Sequence, residues 1–106
     1  MSDDYAGEEE IKMKTTEAQK ISVEKPSEGK LKQLKVRDWP IWTKEAGSFD
    51  WHYDDRETCY ILEGDVTIKT SDGNVSFGAG DLVIFPKGLS CQWQIKKAVK
   101  KHYRFG

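Results

Sequence analysis

The chain has 106 residues, 33% charged and 37% hydrophobic, with a net charge of −1 at pH 7. That length makes one domain. The charge balance excludes the basic footprint of a nucleic-acid-binding domain, and no apolar run reaches the length of a membrane-spanning helix. Two cysteines, Cys59 and Cys91, are too few for a disulfide scaffold.

The charge is unevenly spread. Residues 1–30 hold 13 charged side chains and one aromatic, Tyr5, whereas residues 31–106 hold the other 11 aromatics, including all four Trp. Residues 1–30 therefore read as a disordered, solvated tail or as a segment that orders on a partner, and residues 31–106 as the folded part. The opening MSDDYAGEEE is acidic and has no apolar stretch, unlike a secretory or transit signal. The expectation is a soluble intracellular protein, cytoplasmic or in an organelle. Ile11, Met13, Ile21 and Val23 form no helical stripe, and Pro26, Ser27 and Gly29 punctuate the boundary.

Beyond Leu31 the texture changes to short strand-like runs. Gln33–Arg37 is the first candidate strand, and Trp39-Pro40-Ile41-Trp42 suits an edge or a bend because of its proline. Ser48–Tyr53 and Glu57–Leu62 follow, the latter ending near Gly64. Asp65–Ser71 alternates, with Val66, Ile68 and Thr70 on one face. Asp72-Gly73 is a hairpin signal, and Asn74–Phe77 returns from it. After a turn at Gly78-Ala79-Gly80, Asp81–Phe85 is nearly continuous in apolar residues, as in a strand buried on both faces. Ser90–Ile95 and Val99–Phe105 close the chain, with His102 expected to be partly exposed. No run of 10–12 residues carries helical periodicity. Seven to nine short strands with turns at this spacing indicate a β-sandwich or barrel.

Two segments have a diagnostic spacing: residues 47–64, GSFDWHYDDRETCYILEG, and residues 80–93, GDLVIFPKGLSCQW. They resemble the two consensus motifs of the cupin superfamily, small RmlC-like jelly-roll β-barrels. Glu57, six residues and Gly64 match the first motif. Gly80, Pro86 and Gly88 match the second, with Cys91 standing where the motif has His. The runs YDDRETCYILEG, FGAGDLVIFPKGLSCQW and VKKHYRF are similar to the small single-domain cupins of the ureidoglycine aminohydrolase type, and to plant members in particular. The resemblance covers about residues 33–106. It implies an all-β, single-domain cupin barrel, and edge-to-edge pairing as a homodimer.

Metal-dependent cupins combine His-x-His, a Glu and a third His, a set suited to Mn, Fe, Ni or Zn. The most generous set here is Asp50, His52, Glu57 and Cys91, a mixture that suits Zn better than Fe or Mn. Alternation opposes it, because Asp50 and His52 face away from Trp51 and Tyr53, and only one pair can line the barrel. Two aromatics inward and two polar residues outward is the usual arrangement. The reading therefore favours no bound metal, with His52 at the rim.

What remains is a pocket. Glu57, Cys59 and Ile61 share one strand face, and the resemblance puts Cys91 on the same lining. Trp51, Tyr53 and Trp93 are candidates for stacking walls. Burial raises the Glu57 carboxyl unless a cation pairs with it; Arg56 is nearest but adjoins Glu57 and so points the other way, while Lys87 and Arg104 are less constrained. Cys59 and Cys91 are equally read as small buried hydrophobes. Three functions stay open: a metal-independent small-molecule-binding module around Glu57 and Cys91; a metal-dependent aminohydrolase, isomerase or dioxygenase using Glu57, His52 and Cys91; and an interaction protein whose tail and barrel dock on a larger partner. The fold alone does not choose among them.

Overall fold

A computed structural model describes residues 20–106. The expectation of a solvated tail lies, for residues 1–19, outside the described residues. For residues 20–30 it is corrected. Ser22–Glu24 form strand β1, which pairs antiparallel with a later strand, and Ile21 is buried in the core. The Gln33–Arg37 strand is corrected too. Glu28–Leu34 form a short helix, α1, capped by the Ser27 side chain, which accepts from the Lys30 N–H. Glu28 lies in its first turn and binds Arg37 at 2.6 Å. A single 3₁₀ turn at Val36–Asp38 follows. Leu31 and Val36 are buried, so this segment is held by two apolar anchors that no long-range periodicity could reveal.

The remaining strands are β2 (Ile41–Lys44), β3 (Gly47–His52), β4 (Glu57–Thr70), β5 (Gly73–Gly78), β6 (Leu82–Phe85) and β7 (Ser90–Phe105). All pairings are antiparallel. β6 runs between β1 and β4, which explains its continuous apolar sequence. The β4–β5 turn is Ser71-Asp72 rather than Asp72-Gly73, since Gly73 already pairs with Thr70.

Four expected strands merge into two. β4 runs unbroken through Gly64, and β7 runs unbroken through residues 96–98. Their pairing contains three register shifts between Ile61 and Val66. Gly64 has φ +132°, and a Cβ there would meet the Val99 Cα at 3.0 Å and the Ala98 carbonyl at 3.2 Å. The motif glycine therefore does not end a strand. It permits a close-packed bulge that bends both long strands.

The bend divides the sheet into two arms. One carries β1, β6, the first part of β4, the last part of β7, and β2. The other carries β5, the rest of β4 and β7, and β3. The arms fold over one another. Trp93, in the second arm, lies with its ring 5.5 Å from Phe85 and 6.1 Å from Trp42, both in the first. The result is the all-β, single-domain, jelly-roll-like barrel expected from the motifs. Among the described residues no helix is long and apolar enough to cross a membrane.

Candidate functional site

Between the arms lies a cavity of about 270 Å³. Its walls are aromatic: Trp42, Phe49, Trp51, Tyr53, Trp93, Tyr103 and Phe105. Phe49 and Trp93 stack at 5.9 Å, and Trp42 meets Trp93 edge to face. Trp51 and Phe105 stay 47% and 49% exposed, which places them at the mouth. Among the described residues, the charged side chains on the lining are Glu57 and Lys101.

Those two groups meet. Lys101 Nζ donates to Glu57 Oε2 at 2.6 Å, and the Tyr53 hydroxyl donates to Glu57 Oε1 at 2.7 Å. Glu57 is 3% exposed and Lys101 5%. The ammonium also lies over the Trp93 and Trp42 rings, at 4.6 and 4.8 Å from their centroids. A buried ion pair tolerates desolvation only with such close geometry and further hydrogen bonds. Burial, reinforced by the Glu57 charge and its hydrogen bond, pushes the Tyr53 hydroxyl well above the ordinary tyrosine range. Tyr53 therefore stays a donor.

Each member is placed by the local fold. Glu57 opens β4, flanked by Phe85 and Phe105 in register. Tyr53 sits just beyond β3, where its N–H donates to the Leu89 carbonyl and its carbonyl accepts from the Gly88 N–H. Gly88 has φ +90°, so the glycine of the second motif makes the turn that clamps Tyr53. Lys101 lies on β7 opposite Ile61 and Trp42.

A EutQ-like cupin domain model matches residues 31–103. The chain belongs to the EutQ-like cupin family. Among solved structures this cupin is similar to a DUF861 family protein of Thermotoga maritima, with 53% identity, a TM-score of 0.79, and coverage of 81% of this chain and 99% of that one. It is also similar to the Clostridium difficile EutQ protein, at 25% identity and a TM-score of 0.57, covering 61% of this chain and 52% of that one. A putative ethanolamine utilization protein Q of Salmonella typhimurium shares the fold at 23% identity and a TM-score of 0.57, with coverage of 61% and 53%. The cupin thus spans about half the length of the EutQ proteins it matches. No protein of curated function matches it.

Of the residues singled out in the sequence, Trp51, Tyr53, Glu57 and Trp93 come together on the cavity. Cys59 and Cys91 do not line it. Cys59 is fully buried in the core, and burial pushes its thiol up to about 12, the nearby Lys101 opposing and Glu57 adding to the shift. Cys91 instead lines an open groove with Asp50, His52, Lys69 and Ser90. No disulfide joins the two. The set Asp50, His52, Glu57 and Cys91 is thus divided between groove and cavity. Among the described residues no three His, Cys, Asp or Glu side chains gather as metal ligands. His52 is exposed and shares a 2.7 Å hydrogen bond with Ser90 Oγ.

The candidate cations are corrected. Arg56 is exposed and bonds the Gly106 carbonyl, Lys87 is exposed, and Arg104 lies over Trp39. The cation is Lys101, which the sequence reading passed over. Its signal was present, because Val99, Lys101, Tyr103 and Phe105 alternate on one strand face, so the lysine shares the apolar side. His102, on the opposite face, is buried rather than partly exposed, with Nδ1 2.9 Å from the Trp39 carbonyl.

Proposed function

We propose that this cupin is a metal-independent module that binds a small molecule in the aromatic cavity over Glu57, Lys101 and Tyr53. The observation that carries the reading is the buried Glu57–Lys101 pair at the cavity floor. A structural core of this size has no need of an ion pair, which apolar residues of similar volume often replace at no cost to stability. Opening onto a cavity gives the pair a use. At about 270 Å³ the cavity lies just below the roughly 300–1,000 Å³ of drug-sized ligand sites, which limits it to a small ligand.

Two features support the absence of metal from this function. The ammonium of Lys101 already supplies the positive charge that a buried Glu57 needs. The remaining candidate ligands, His52 and Cys91, line a different depression. Resemblance to the single-barrel, plant-like branch of the ureidoglycine aminohydrolase type fits the same reading, because that branch generally lacks the full histidine set. We accordingly expect no ammonia release from ureidoglycine above the uncatalysed background.

Protein purified without an affinity tag should carry no stoichiometric Zn, Mn or Fe by elemental analysis. A flat aromatic probe such as toluene should perturb the indole signals of Trp42, Trp51 and Trp93 in NMR titration but not that of Trp39. Stoichiometric metal lost in a Glu57→Gln variant, or a cavity that leaves all three indoles unchanged, would overturn the proposal.

A further inference from the structure

The floor of the cavity also specifies a chemical class of ligand, an inference that rests on the binding reading above. Lys101 Nζ carries three N–H donors. Among the described residues its one oxygen partner is Glu57, and its other contacts are the faces of Trp42, Trp93 and Tyr103. Glu57 accepts one hydrogen bond on each oxygen, from Tyr53 and from Lys101. A carboxylate oxygen has room for a second donor. The cavity thus presents a donor and an acceptor 2.6 Å apart, both on its lining and both nearly enclosed by aromatic rings.

Charge decides what can meet them. The pair is already neutral as a unit. A ligand carboxylate would place a second negative charge beside Glu57 with only one ammonium between them. A ligand ammonium would do the same to Lys101. Like charges brought together in a desolvated site are strongly disfavoured. A neutral carbonyl oxygen escapes this, and exchanges a ring face for a charge-assisted hydrogen bond to Lys101. A neutral N–H on the same carbon would reach the free position of Glu57. Both atoms lie on one planar edge in a primary amide or a lactam. The aromatic walls select a flat ring to carry that edge, through stacking and edge contacts.

We propose that the cavity binds a neutral, planar, ring-bearing amide or lactam. Its carbonyl accepts from Lys101 and its N–H donates to Glu57. Carboxylates and amines of the same shape are rejected.

Four probes of matched ring size test this: benzamide, benzoate, benzylamine and toluene, titrated against the Trp indole signals of the full chain. Benzamide should bind about tenfold or more tightly than toluene, the worth of a hydrogen bond to a charged group. Benzoate and benzylamine should both bind more weakly than benzamide. Removing one member of the pair alone risks unfolding, so the control is the double variant Glu57→Leu with Lys101→Met in a Tyr53→Phe background, which leaves neither a buried charge nor a hydroxyl without its acceptor. It should keep toluene binding and lose the benzamide preference. Tightest binding of benzoate or benzylamine, equal binding of benzamide and toluene, or a benzamide preference that survives in the double variant would each overturn the ligand class while leaving the cavity reading intact. No response to any probe, toluene included, would instead remove the binding reading itself.

Discussion

Trp51 separates two depressions that hold similar polar side chains in different surroundings. On one side Glu57 and Lys101 sit among aromatic rings and are almost wholly enclosed. On the other, Asp50, His52, Lys69 and Ser90 line an open groove, and the nearby Asp54 side chain is 99% exposed. The same residue types therefore carry different weight. In the groove, water solvates every charge and screens every pair. In the cavity, each charge depends on its partner. The difference teaches that the weight of a charge follows burial rather than the number of polar groups around it, and that the residue alternation along β3 sorts side chains between the two sides.

The sharpest way to break this contrast is to remove one charge from the enclosed side. Lys101→Met leaves Glu57 buried and uncompensated, and should lower stability in urea denaturation by about 3–5 kcal/mol. The double variant Glu57→Leu with Lys101→Met should recover most of that loss when Tyr53→Phe removes the hydroxyl that would otherwise lose its acceptor. A Lys101→Met change within about 0.5 kcal/mol of the parent, as for an ordinary surface site, would show the pair to be solvated.

A second contrast comes from alkaline pH. Cys59 is held up to about 12 in the folded barrel, above the free thiol near 9, and Tyr53 is raised in the same sense. Both groups are neutral when protonated, and raised folded values mean the unfolded chain loses its protons first. Their stabilisation is complete below the unfolded pKa and declines as pH rises. Cys59 should contribute a loss of about 1.4 kcal/mol per pH unit between roughly pH 9 and 12, with Tyr53 adding to it above about pH 10. Comparing the slope with that of Cys59→Ala isolates the thiol, and identical slopes would refute its burial.

Gly64→Ala addresses the bend that brings the arms over the cavity. The positive φ and the 3.0 Å approach to Val99 should cost about 1–3 kcal/mol, read as a lower Tm. A neutral effect would show that the long strands bend without the bulge. The smallest effect belongs to the groove. His52→Ala removes one exposed hydrogen bond to Ser90 and should stay within about 0.5 kcal/mol, with probe binding unchanged. A loss of probe binding there would make groove and cavity one site.

Much of the barrel was legible in the sequence. Alternation in Asp65–Ser71, the apolar run of β6 and the spacing of Glu57, Gly64, Gly80, Pro86 and Gly88 all survive in the structure. Three elements were misread for physical reasons. Gly64 looked like a strand terminator because a bulge and a break have the same local signature. Residues 20–30 looked solvated because Ile21, just before β1, is their one buried residue and β1 itself gains its order from pairing with β6. Gln33–Arg37 looked like a strand because a seven-residue helix is too short for periodicity to register.

The candidate site divides the same way. Glu57 stood out because a carboxylate central to a β-rich run must find a partner, and alternation set Trp51 and Tyr53 on the face opposite Asp50 and His52. The partner itself was not legible. Lys101 lies 44 positions from Glu57 and meets it only because β4 and β7 pair along their length and bend together at Gly64. By itself the sequence determined the strand faces and the turns, since side-chain alternation and glycine geometry act within a few residues. Only the tertiary structure decided which charge met which, because burial of a charge, and the cation that makes it tolerable, are properties of the closed barrel rather than of any one strand.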